Sequence, residues 1–200
     1  MKNIETLRWN QDHLEMIDQR ILPENFEYIS YYTAVSVAEG IQSMVVRGAP
    51  AIGCAAAYGV ALEALSLSKS NLENFLAGME IAFKVLLESR PTAINLFWAI
   101  DRMKNLLTQT NEKPDAIALI LLNEAHKILR EDIEINKAMG RFGAEILQNN
   151  SNVLTHCNAG ALATAGHGTA LGVVRSAVES GKSISVIADE TRPFLQGARL

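Results

Sequence analysis

Residues 49–62 form the longest uncharged apolar run in the chain, and that run constrains every fold the rest can adopt. From Pro50 to about Ser66 the residues are small and apolar almost all round, which predicts a helix buried on every side. The uncharged run is too short to span a bilayer and carries Pro50, Gly53 and Gly59, so no membrane span is expected. Such a helix must be wrapped by other elements of its own chain. A hydrophobic fraction of 48% supplies the material, and 20% charged residues suit a soluble globular protein rather than a disordered one.

The wrapping elements are legible as stripes. Val37, Ile41, Met44 and Val45 fall at helical spacing after Thr33 or Ser36 as cap. Ser70 with Glu73 reads as a capping box for a helix whose Leu72, Phe75, Leu76, Met79, Phe83 and Leu86 make one stripe. Another starts near Thr92 and aligns Leu96, Phe97, Ile100, Met103 and Leu107. Asp115 is placed to cap a long helical stretch reaching Leu147, with a break near residues 130–132. Ahead of all these, residues 14–18 and 26–31 alternate as a half-buried hairpin does.

Near residue 150 the texture changes. Residues 153–157 read as a strand, Asn158, Ala159 and Gly160 turn into a helix rich in small residues that Gly181 ends, and residues 184–188 read as a second strand. A further helix is expected to open at Phe194. Strand, helix, strand with short joints predicts a parallel, Rossmann-like sheet. The expected fold class is therefore α/β. Residues 1–150 would form a mostly helical N-terminal domain with a short β-hairpin, and residues 151–200 the first βαβ unit of an incomplete Rossmann-like domain. Two parallel strands do not make a doubly covered sheet, so the expectation is a shortened chain or a sheet completed elsewhere.

The net charge of −4 offers no clustered basic face for nucleic acid, and an anionic substrate must be held by arginines placed locally. The first residues lack a basic segment followed by an apolar core, so no signal peptide is predicted and a cytoplasmic location is expected. Cys54 and Cys157 are then expected as free thiols. Four scattered histidines and two cysteines make no metal-ligand spacing. Gly160, Gly166, Gly168 and Gly172 do not form a dinucleotide fingerprint, so neither metal nor cofactor is expected.

Three arginines share a local arrangement. Arg47-Gly48-Ala49-Pro50, Arg90-Pro91 and Arg192-Pro193 each put a guanidinium before a proline able to open a helix. The free amides of a helix start and the arginine fork together suit a phosphate, and Gly48 lets a ligand approach the backbone. Each arginine also has a plainer reading as a turn contact to a carboxylate or carbonyl.

Cys157 is expected at the C-terminal end of a parallel strand, just before a helix N-terminus, where open α/β sheets bind ligands and a thiol is drawn toward thiolate. Cys54, among alanines in the buried helix, reads as packing. Strand alternation points His156 away from Cys157, so an adjacent Cys-His pair is not expected. His167 reads as a satisfied polar residue that is also able to line a pocket. Asp189 and Glu190 either serve as acid or base, or pair with Arg192 and cap the next helix. Gln196 is placed to bond a sugar hydroxyl.

Four segments in this order resemble the signature segments of the methylthioribose-1-phosphate isomerase family. They run from Arg47 through Gly53, from Arg90 through Leu96, from Thr155 through Gly160 and from Asp189 through Leu200, with Leu7-Arg8-Trp9 and Asp18-Gln19-Arg20 agreeing upstream. The resemblance implies a helical domain followed by a Rossmann-like one, usually paired as a homodimer, and an aldose–ketose isomerase of methionine salvage. By motif it implies Arg47, Gly48, Ala49, Arg90 and Gln196 as substrate binders and Cys157 as the active-site cysteine, with no cofactor. The family's catalytic aspartate would lie beyond residue 200, so the expectation is that these residues alone do not turn over. Two other readings stay open: a non-catalytic regulatory subunit of the translation-initiation exchange-factor type, and an isomerase of ribose 1,5-bisphosphate or 5-deoxyribose 1-phosphate.

Overall fold

The computed structural model describes residues 4–199. Its centre is α2 (Ala49–Ser66), whose buried residues run from Ala51 through Leu62 without a gap. Among the described residues, α2 is the one helix long and apolar enough to cross a membrane, yet 72% of it is covered by the chain itself. Gly48 is its N-cap and Pro50 sits in its first turn, where a missing N–H costs nothing.

Four helices wrap α2: α1 (Ala34–Gln42), α3 (Leu72–Ser89), α4 (Ile94–Gln109) and α5 (Pro114–Ile146). Phe75, Met79, Phe83 and Leu86 of α3 join Leu96, Ile100 and Met103 of α4 and Ile117, Leu121 and Ile128 of α5 in one core around Tyr58. Leu72, Leu76 and Phe97, counted in the stripes, are exposed instead, at the margins of faces narrower than the sequence pattern suggests. Thr33 and Ser36 form a reciprocal capping box for α1.

The other caps differ from expectation. Asn71 caps α3, accepting from the Asn74 N–H at 2.8 Å, because the Ser70 hydroxyl is already spent on Leu67 O. Lys113 precedes Pro114 at the start of α5, and the helix runs unbroken through residues 130–132 for 33 residues. The charges there do not break it because they are satisfied sideways: Arg102 of α4 bridges Glu124 and Glu131 of α5.

Three strands rather than two precede the helices: β1 (Leu7–Asn10), β2 (His13–Ile17) and β3 (Tyr28–Tyr31), antiparallel in that order. Leu7 opposite Met16 and Leu14 opposite Tyr31 bury the sheet's inner face against the core.

Beyond α5, β4 (Ser151–Thr155) and β5 (Ile184–Ala188) pair in parallel, with Ser151 opposite Ile184 and Thr155 opposite Ala188. The expected helix between them shrinks to α6 (Ala170–Glu179), which packs on α5. Residues 157–169 are instead a loop holding one 3₁₀ turn, Ala161–Ala163. Cys157, His167 and Gly168 all take positive φ, which keeps this stretch out of a helix. The helix expected at Phe194 is absent for the same reason: Thr191 (φ 62°) and Leu195 (φ 56°) turn the chain, and the next element is a 3₁₀ turn, Gly197–Arg199.

Three partly buried bonds lash the loop to the N-terminal sheet region and to α5. Thr6 Oγ1 donates to Ala161 O at 2.8 Å, Gln19 Nε2 to Leu162 O at 2.8 Å, and the Ala165 N–H to Asp132 Oδ2 at 2.7 Å.

Candidate active site

A cavity of about 270 Å³ opens where these pieces meet. Met44, Arg47 and Gly48 line it from the approach to α2, Arg90 from the joint between α3 and α4, and Cys157, Asn158 and Leu162 from the loop after β4. Gln19 and Leu22 lie on the side of the N-terminal sheet, while Phe194 and Gln196 come from the turn after β5.

Arg47 stands just ahead of the α2 N-cap, and both it and Gly48 line the cavity. Its Nη2 reaches Phe194 O at 3.4 Å, linking this segment to the final turn. Gly48 is required for space rather than for conformation. Its φ is −75°, but a Cβ there would lie 2.1 Å from Ala163 Cα and O. Ala49 does not line the cavity: it is the exposed first residue of α2.

Arg90 arrives by a different route from the one the sequence suggested. It is the C-cap of α3, and Pro91 and Thr92 form a turn rather than the start of α4. Its Nη1 is buried with no hydrogen-bond partner among the described residues. Leaving a charged donor unsatisfied costs about 1–3 kcal/mol or more, a cost an anion's oxygen would remove. Arg192 is not in the cavity. It opens no helix, and its Nε donates to Glu190 Oε2 at 2.7 Å in the exposed turn.

Cys157 reaches the cavity from a left-handed backbone (φ 64°), two residues past the end of β4. Its N–H donates to Thr191 Oγ1 at 3.2 Å. The expected helix N-terminus behind the thiol is missing, since α6 starts only at Ala170. Cys54, the other free cysteine, is 2% exposed, and burial pushes its thiol far above the usual range. His156 is exposed and faces Asp189, with Nδ1 3.0 Å from Oδ2, so no Cys-His pair forms. His167 meets Ser176 Oγ at 3.1 Å, outside this cavity. Gln196 lines the cavity from the turn rather than from a helix. Among the described residues no three His, Cys, Asp or Glu side chains group to hold a metal.

Backbone strain concentrates here. Met44 (φ 62°) and Cys157 line the cavity, Thr191 holds the Cys157 amide, and Leu195 sits between Phe194 and Gln196. Non-glycine residues held at such angles persist where the surroundings over-determine them, commonly at ligand sites.

Sequence reasoning passed over Gln19, Leu22, Met44, Asn158, Leu162 and Phe194 as lining residues. Their apolar members look like core in a linear reading. The polar trio Asp18-Gln19-Arg20 directly after an alternating strand was the one available signal, because Asp18 and Gln19 are both buried.

The sequence profile described as the Initiation factor 2 subunit family matches residues 45–200. The chain belongs to that family. Among curated relatives, the methylthioribose-1-phosphate isomerase of Albidiferax ferrireducens is 61% identical over 198 residues, 98% of this chain and 56% of its own length. The enzyme of the same name from Syntrophotalea carbinolica is 54% identical, over 99% of this chain and 58% of its own. The chain thus spans little more than half the length of the curated relatives it matches.

Solved structures agree. The 5-methylthioribose 1-phosphate isomerase of Pyrococcus horikoshii superposes with a TM-score of 0.93 at 46% identity, covering 100% of this chain and 56% of that one. An A. fulgidus protein described as translation initiation factor eIF-2B, subunit delta, gives 0.87 at 45% identity, covering 98% and 57%.

Proposed function

We propose that these residues form the phosphate-gripping half of an aldose–ketose isomerase acting on 5-methylthioribose 1-phosphate. The observation that carries this reading is convergence: Arg47, Gly48, Arg90 and Gln196 surround one cavity with a cysteine on its wall. Two guanidinium groups and the start of α2 suit a doubly charged ester, because fork-shaped donors match phosphate oxygens and the helix start adds amides. The names carried by relatives at 54–61% identity support the same chemistry.

In the proposed reaction the phosphate stays on C1 throughout. The bond between C1 and the ring oxygen opens and that oxygen takes up a proton to become the C4 hydroxyl, one hydrogen leaves C2 and one arrives at C1, and the C2 hydroxyl gives up its proton as it becomes a ketone. Nothing is oxidised or reduced overall. In this reading Cys157 gives or takes a proton at the reacting carbons and Gln196 bonds a sugar hydroxyl, supported by both lining the cavity. The apolar residues Leu22, Met44, Leu162 and Phe194 would keep water from the reacting carbons. In the whole protein we expect a homodimer in the cytoplasm, which sedimentation of the intact protein and cell fractionation test.

A second reading draws on the 45% identity to the A. fulgidus protein described as a translation initiation factor subunit. On that reading the cavity binds a sugar phosphate without converting it. The test is turnover by the full-length protein of 5-methylthioribose 1-phosphate, 5-deoxyribose 1-phosphate and ribose 1,5-bisphosphate. The isomerase reading expects a ketose product from the first, reduced by two to four powers of ten in Cys157→Ser, on the order of what a proton-transfer group supplies. Tight binding with no product from any of the three would establish the second reading instead.

A further inference from the structure

Gln19 touches both halves of the cavity, and two of its contacts run in opposite directions. Its main-chain N–H donates to Val45 O at 3.1 Å, two residues before Arg47. Its side chain crosses to the loop carrying the thiol, where Nε2 donates to Leu162 O at 2.8 Å. The residue is only 3% exposed, and the side chain that makes this crossing lines the cavity between the two segments.

The neighbouring contacts show why this crossing sets a distance. Thr6 Oγ1 donates to the preceding carbonyl, Ala161 O, at 2.8 Å, so two successive carbonyls of the 3₁₀ turn are held from the N-terminal sheet. Gly48 meets Ala163 so closely that no Cβ fits between them. Attraction on one side of the turn and contact on the other leave it little freedom. At the Cys157 end, the Cys157 N–H donates to Thr191 Oγ1 at 3.2 Å and Ala159 O accepts the Thr169 and Leu171 N–H groups at 3.0 and 3.2 Å, so the segment between them is positioned mainly through the 3₁₀ turn. Asp18 fixes Gln19 from the flank: its buried carboxylate takes both Arg20 Nε at 2.8 Å and Arg20 Nη2 at 2.7 Å, as well as the Arg20 N–H.

We infer that Gln19 is a positioning residue that fixes the separation between the Arg47–Gly48 anion grip and the loop bearing Cys157. The inference rests on the isomerase reading for its kinetic consequence, but its structural content does not. An amide is the group suited to this place. A charged side chain would be costly at this burial, and a shorter one would not span from the end of β2 to the turn.

The test uses the full-length protein with Gln19→Leu, Gln19→Glu and Thr6→Val. Gln19→Leu keeps volume and loses the donor; Gln19→Glu keeps shape and loses it too. The expected kinetic result for Gln19→Leu is a kcat lowered ten- to hundredfold with KM changed less than threefold, since the phosphate contacts are intact; Gln19→Glu should lower kcat too and also raise KM, because its charge shares the cavity with the phosphate. A merely structural residue would instead lower the amount of folded protein and leave kcat per folded molecule alone.

A second readout needs no turnover. Alkylation of Cys157 by iodoacetamide, mapped by mass spectrometry with Cys54 as the buried control, should quicken at least threefold in Gln19→Leu. Should that variant fail to fold, Thr6→Val must give the same pattern at smaller amplitude. Unchanged alkylation in folded variants overturns the positioning role whatever the reaction proves to be. Quickened alkylation in a protein that binds phosphate but isomerises nothing upholds the role and rejects the isomerase reading alone.

Discussion

Gly48→Ala isolates one steric contact. Glycine at this position keeps a φ of −75°, which alanine adopts freely, so no conformational penalty accompanies the substitution. The whole effect comes from space. The added methyl would lie 2.1 Å from Ala163 Cα and O, and non-bonded carbons sit comfortably at about 3.5 Å, so the turn must retreat by roughly 1.4 Å. The obstructing atoms are main chain, which has no rotamer to change. Overpacking of this kind costs up to about 3 kcal/mol. In a domain of this size each kcal/mol moves Tm by roughly 2–4 °C, so calorimetry should record a fall of up to roughly 6–12 °C. A displacement near 1 Å between the anion grip and the thiol loop should lower kcat/KM by about 100-fold, measured on protein folded well below its Tm. Gly166→Ala is the control, because its methyl would have nothing closer than 3.7 Å. If Gly48→Ala melted and turned over like Gly166→Ala, the tight fit between α2 and the loop would be refuted, along with the site geometry built on it.

Arg90→Met removes the buried donor that has no partner among the described residues. Losing a charge-assisted contact worth about 1.5–3 kcal/mol should raise KM for the sugar phosphate roughly ten- to hundredfold and abolish the rise in Tm that inorganic phosphate produces, while the ligand-free Tm does not fall. Asp132 carries a carboxyl that burial pushes above the ordinary value of 3.8, even though it accepts the Ala165 N–H. A raised carboxyl destabilises the fold progressively as pH climbs from the unfolded value through the folded one. Asp132→Asn keeps an acceptor without the charge, so its Tm should exceed that of the parent at pH 7 and the advantage should shrink toward pH 4. Phe83→Ala empties a site only 2% exposed in the central core and should cost about 3–5 kcal/mol by denaturant titration, with KM unchanged.

Periodicity made the helical part legible, because burial on one face leaves a repeat that survives without tertiary knowledge. The all-apolar α2, the stripes of α3 and α4 and the start at Pro50 were readable on that ground. So were the parallel strands β4 and β5, whose short apolar runs are bounded by turn residues. The unbroken α5 was harder. Its charges near Arg130 suggest a break until Arg102 of a neighbouring helix is seen to satisfy them.

What the sequence by itself determined is which residue types carry the chemistry: arginines beside helix-opening signals, a glycine before Pro50 and a cysteine after a strand. What only the tertiary structure decided is which of them meet. Arg192 resembles Arg47 in sequence, yet two positive-φ residues turn its segment away from a helix and pair it with Glu190. Gln19 looks like an ordinary polar residue, yet folding places it between segments 26 and 143 positions away through Val45 and Leu162. Local propensity reaches only a few residues along the chain. A cavity closed by long-range contacts exists only after the buried core has fixed the segments that form it.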